Sequence, residues 1–186
     1  MISNKLTALV FASVLFTISC GAETKEDTTA LGVEYVSINE TTYTGLVRIL
    51  DAYFAVKDAM VTSDAEQVRV AAEAMVAVVS EFDSSTLDEV TATQLTAEID
   101  AIRYGSQSIF EAAGIEDQRT LMPALTENME GLVRKYGASN GSVYKQYCPM
   151  AFNDTGAYWL SNSEEVINPY FGDMMLRCGE VTEKIM

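Results

Sequence analysis

Between Thr42 and Tyr136 the chain repeats one pattern four times: apolar residues three and four apart, separated by short polar breaks. An α-helix of 3.6 residues per turn gathers such residues on one stripe, and the stripe must be buried against a neighbour. The first run is Leu46, Ile49, Leu50, Tyr53, Phe54, Met60 and Val61, with Lys57 the one charge on its face. It should stop near Ser63, where "SDAE" reads as a capping box between Ser63 and Glu66. The second run, Asp64 to about Phe82, carries Val68, Ala71, Ala72, Met75, Val78, Val79 and Phe82. A further capping box at Thr86 and Glu89 opens the third, with Leu95, Ile99, Ile102, Ser106, Ile109 and Phe110, and Gly114 is a plausible stop. The fourth holds Leu121, Leu125, Met129, Leu132 and Tyr136 and ends at Gly137. Pro123 should kink it or mark an irregular first part, and Asp117 and Arg119 are placed to pair at its start. Four such helices with short breaks predict a mainly α chain, an antiparallel four-helix bundle followed by an irregular lobe from about residue 138.

Charge and composition remove several functions. A net charge of −15 argues against nucleic acid, whose phosphates need a basic face. The chain has no histidine, which excludes Ser-His-Asp and Cys-His catalytic pairs and any histidine-containing zinc or iron site. No carboxylate, lysine, tyrosine or thiol stands in a recognisable acid–base arrangement, and no small-molecule substrate is indicated. The expectation is a protein that is not an enzyme.

Residues 1–20, "MISNKLTALVFASVLFTISC", place Lys5 before an apolar run from Leu6 to Ile18. That run is short for a membrane span and suits the core of a signal peptide. "TISC" resembles a bacterial lipobox, with Thr17 where leucine is usual. The expectation is a signal peptide over 1–19, lipidation of Cys20, an acidic tether over 20–41 and a folded domain over 42–186. Such a protein would be held on the bacterial cell envelope, at the periplasmic face or the cell surface, by its lipid.

After "GASNGS" (137–142) the helical period is lost. "SVYKQY" alternates like a short strand, and "NPYFGD" (168–173) has turn chemistry. Two of the three cysteines lie here, Cys148 in "CPM" and Cys178 after "MML". Cys148, Met150, Met174, Met175 and Cys178 are the clustered soft donors of the chain and suit Cu(I) or Ag(I), which prefer thiolate and thioether. Two alternatives stand beside this: a Cys148–Cys178 disulfide holding an irregular segment of an exported protein, and buried thiols with methionine as core filler. Trp159, Tyr170 and Phe171 suit either a recognition surface or a wedge that seats the lobe on the helices.

The sequence also carries a resemblance. "YCPMAF", "GAYWLSNSEEVINPYFGDMMLRCGEV" and the upstream "YTGLVRILDAYFAVKDAMVTSDAEQVRVAA" are similar to the domain of unknown function 3347 family, over roughly residues 42–185. Trp159, Asn168, Pro169, Tyr170 and Gly172 belong to the quoted motifs. The family occurs as small exported bacterial proteins and attached to periplasmic adaptors of heavy-metal efflux pumps. The resemblance implies metal handling, with such an adaptor as a partner. One difference is visible: the short metal-binding module of those adaptors reads Cys-Pro-Met-His, whereas Ala151 follows Met150 here. The reading is therefore an exported lipoprotein that binds a soft metal ion, with a non-catalytic interaction module stapled by Cys148–Cys178 as the alternative.

Overall fold

The structure is a computed structural model and describes residues 34–186. The expected signal peptide, Cys20 and most of the tether lie outside the described residues. Four long helices follow one another: α1 (Glu40–Val61), α2 (Ala65–Ser80), α3 (Glu89–Glu111) and α4 (Ile115–Tyr136). Each packs on the next, and α4 closes back on α1, as in an up-and-down bundle. Their inner stripes supply most of the core, from Leu46, Ile49 and Tyr53 through Met75, Ile99 and Ile102 to Leu125 and Leu132.

The helix starts differ in detail from the sequence reading. Asp64, not Ser63, caps α2 and accepts from the amides of Glu66 and Gln67. Asp88, not Thr86, caps α3 through Val90 and Thr91. An aspartate one or two residues nearer the helix offers a charged acceptor to the free amides, which outcompetes a hydroxyl. The two displaced hydroxyls serve elsewhere: Thr86 accepts from the side chain of Asn39, the cap of α1, and Ser63 accepts from Arg119. Helix α4 runs unbroken through Pro123. Lys57 is buried but reaches the exposed carboxylate of Asp58, so its stem joins the apolar face while its charge finds a partner.

The lobe after Gly137 is a three-stranded antiparallel sheet in the order β2-β1-β3, with β1 at Tyr144–Cys148, β2 at Ala157–Ser161 and β3 at Glu180–Lys184. It lies along α4 and is seated by buried groups. The Tyr53 hydroxyl accepts from the Leu160 amide at 3.0 Å and bonds the Thr126 hydroxyl at 2.8 Å, tying α1, α4 and β2 at one point. Burial pushes this tyrosine's pKa well up. Nearer the surface, Lys145 reaches Glu130 at 2.9 Å and Arg134 reaches Glu183 at 3.0 Å. Trp159 is fully buried and meets Tyr170 edge-on at 5.9 Å, so its ring is part of the core.

The two chain ends of the described domain meet beside the last turn of α4. The Val36 amide donates to the Lys135 carbonyl, and the Tyr35 hydroxyl reaches the Met186 sulfur. The residues between β1 and β2 lie instead beside Glu116 and Arg119, in the first turns of α4. A helix of 22 residues is about 33 Å long, so the segment between β1 and β2 is far from Tyr35 and Val36, where the described chain begins.

The aspartate caps make a pH-dependent contribution of known sign. Hydrogen bonds to Asp64 from Gln67, and to Asp88 from Thr91, hold both carboxyls below their ordinary value. Their stabilisation is present above the unfolded value of about 3.9 and is lost as pH falls through the lower folded value. The D64N/D88N double variant should lose less stability than the wild type between about pH 4 and pH 2, read by thermal melts across that range.

Candidate functional site

The site begins with two segments that the sheet brings side by side. Cys148 ends β1 and is fully buried; Cys178 precedes β3 and is half-buried, its amide donating to the Met175 carbonyl at 3.0 Å. β1 and β3 pair antiparallel, with Tyr147 opposite Glu180, so the residues just beyond the pair face each other. The two sulfurs are 3.3 Å apart, and both are thiols. The hydrogen bond shared with Cys148, and burial after it, push the Cys178 thiol up from its ordinary value.

The approach of these segments depends on Gly179. Its φ of +139° suits glycine, and a Cβ there would lie 2.7 Å from the Tyr147 carbonyl oxygen and 3.0 Å from the Trp159 ring. Asn168 then fixes Cys178. This fully buried side chain donates to the Cys178 carbonyl at 2.6 Å and accepts from the amides of Tyr170 and Phe171 at 2.7 and 3.2 Å. Its backbone bonds Leu176 and Gly172. The motif "NPYFG" is thus a turn folded around one carboxamide, an Asx-type arrangement closed on the far side by the cysteine.

The same turn is bolted to the bundle by Arg119, which is 2 % exposed. Its Nε donates to the Pro169 carbonyl at 2.9 Å, and its Nη2 donates to the Met60 carbonyl and the Ser63 hydroxyl at 3.1 and 2.9 Å. Its ion pair is with Glu116 at 3.0 Å, not with Asp117: three residues apart on a helix share a face, two do not. Gly172, at φ +54°, passes beneath; a Cβ there would lie 2.4 Å from the Ser63 hydroxyl and 2.6 Å from the Val61 carbonyl.

The five soft donors do not form one cluster. Cys148 and Cys178 face each other. Met150, 46 % exposed, and Met175, half-buried, line a cleft with Glu116, Arg119, Phe152, Asp154, Tyr170 and Phe171. Met174 is 72 % exposed and does not line that cleft. Methionine as core filler is therefore ruled out for Met150 and Met174. Among the described residues no three of the Cys, Asp and Glu side chains are grouped to hold a metal ion.

Sequence reasoning missed two parts of the site. Arg119 lies three residues before the buried Met122, so it continues the inner stripe of α4, and a charge on that stripe was the available signal. The other is the turn Ala151–Asp154, in which Phe152, Asn153 and Asp154 all have positive φ. Asn and Asp accept that conformation, whereas for phenylalanine it costs about 1–2 kcal/mol. The Phe152 ring is held against Tyr170 at 5.3 Å, which offsets part of that cost.

A model of the family described as "Protein of unknown function (DUF3347)" matches residues 49–141. The chain belongs to this family. The matched span runs from Ile49 in α1 through α4 to the following loop, so DUF3347 membership rests on the bundle, and the sulfur motifs of the lobe lie beyond the match. No curated protein and no solved structure matches the chain.

Two outcomes test this geometry. Cys178 should react with iodoacetamide before Cys148 in the folded, reduced protein, and more slowly than an ordinary exposed thiol at pH 7.5, read by peptide mass spectrometry. Equal rates would contradict the burial of Cys148. Asn168→Ala should destabilise the protein by about 2–4 kcal/mol in urea unfolding, because it strands the buried Tyr170 amide together with the part-buried Cys178 carbonyl and Phe171 amide.

Proposed function

We propose that this protein is an exported, lipid-anchored member of a bacterial cell envelope whose Cys148–Cys178 pair holds a soft monovalent cation, Cu(I) or Ag(I). It would buffer the ion or pass it to the periplasmic adaptor of a heavy-metal efflux pump. The observation that carries the reading is the pair itself: two thiols 3.3 Å apart at the end of the lobe, in a chain without histidine. Metal–sulfur bonds of about 2.3 Å place two thiolates about 4.6 Å apart in a linear complex. The sulfurs must therefore part by about 1.3 Å, and Cys178, set in a half-buried turn, is the one placed to move.

A structural disulfide is the second reading, and the same distance favours it about as well. Closing 3.3 Å to a bond of about 2.05 Å is a movement of similar size. The exposed thioether of Met150, two residues from Cys148, tips the balance to the cation, since a staple has no use for it. Under the disulfide reading the acidic bundle is a non-catalytic interaction module; the resemblance to proteins fused to efflux adaptors supports the cation.

An anaerobic Cu(I) titration of the reduced protein against a chromophoric competitor distinguishes the two. One tightly held ion per chain, lost in both Cys148→Ser and Cys178→Ser, is the expected result. A protein purified with no free thiols, and with no competition after reduction, would leave the disulfide. Binding replaces thiol protons, and the Cys178 thiol is pushed up, so apparent affinity should rise steadily from pH 6 to pH 9.

A further inference from the structure

A cleft of about 470 Å³ lies between the start of α4 and the segments that follow Cys148 and precede Cys178. Two methionines, Met150 and Met175, line it. Carboxylates stand at Glu116 and Asp154, and the rings of Phe152, Tyr170 and Phe171 complete it. The one cation, Arg119, gives its Nε and Nη2 to backbone carbonyls and the Ser63 hydroxyl and its Nη1 to Glu116. Its charge is thus matched by Glu116, and Asp154 leaves the lining one negative charge in excess.

Both methionines lie close in sequence to the thiol pair. Met150 is two residues past Cys148, and Met175 is three before Cys178, whose amide donates to the Met175 carbonyl. The left-handed turn Phe152–Asp154 lines the cleft, and of its three residues Phe152 is the one that this conformation strains. Backbone held in that state marks a segment whose shape serves something other than stability.

We propose that this cleft is a second, weaker station for the soft monovalent cation, with the sulfurs of Met150 and Met175 as its donors. The proposal rests on the reading that the thiol pair takes the same ion. Thioethers are neutral and bind such ions without losing a proton, so they capture at any pH. The carboxylates favour a cation over an anion, and the aromatic faces add cation–π attraction. Passage to the thiols is ligand exchange with no change of oxidation state. The two metal–thioether bonds break, two metal–thiolate bonds form, and the two thiol protons leave to solvent. Met174 takes no part, because it lies outside the cleft.

The test uses the full chain labelled with ¹³C at the methionine methyls and Ag(I), which is diamagnetic and redox-inert under the conditions of the titration. In Cys148→Ser/Cys178→Ser protein the methyl signals of Met150 and Met175 should shift together along one saturable curve, with Met174 unmoved. Adding Met150→Leu and Met175→Leu should weaken that binding at least tenfold. Unmoved signals, or a shift of Met174 as large as the others, would overturn the proposal. Should the serine variant not fold, the wild type answers the same question: the first equivalent of Ag(I) fills the thiols and the second should shift Met150 and Met175. The two readings fail separately. A cation held by the thioethers of the serine variant but absent from the thiols of the wild type removes the function proposed above and leaves the cleft. A wild type that binds one ion at its thiols, with methyl signals fixed throughout, removes the cleft alone.

Discussion

One buried carboxamide holds the lobe in shape. Asn168 makes three bonds through its side chain and two through its backbone, and every partner is a main-chain group between residues 170 and 178. A segment without helix or ladder has no regular partners for its amides and carbonyls, and leaving them unpaired in a core is costly. A short side chain with both a donor and an acceptor solves that problem locally. Cys178 is placed opposite Cys148 because its own carbonyl is one of those partners.

The same solution recurs at the buried contacts between lobe and bundle. Arg119 donates to the carbonyls of Pro169 and Met60, and the Tyr53 hydroxyl accepts from the Leu160 amide. Both are long polar side chains, buried, that answer main-chain groups. The helical bundle thus acts as a platform, stabilised by apolar burial, to which an irregular sulfur-bearing end is fastened by a few directed bonds. This division of labour also separates Tyr35 and Val36 from the site by about the length of α4.

Periodicity made the bundle legible, because a stripe of apolar residues has one explanation over twenty residues. The helix starts were less so: Ser63 and Asp64, or Thr86 and Asp88, are all good caps, and the charged aspartate took the amides while the hydroxyls found other partners. In the lobe the sequence marked the right residues without their roles. "NPYFG" signals a turn, but not that Asn168 faces a cysteine carbonyl ten residues on. The five sulfurs looked like one group because spacing in a loop carries no direction; in three dimensions they divide into a thiol pair, a cleft pair and an exposed Met174. Arg119 sat in view on the inner stripe of α4 and was assigned to Asp117, a partner that helix geometry does not permit.

The account comes down to the chemistry of two sulfurs that Asn168 and Gly179 hold face to face. X-ray absorption at the copper edge on reduced protein carrying one Cu(I) per chain addresses it most directly. The account predicts a first shell of two sulfurs and no nitrogen or oxygen. A shell of oxygen or nitrogen, or an unchanged sulfur shell in the Cys148→Ser variant, would contradict it.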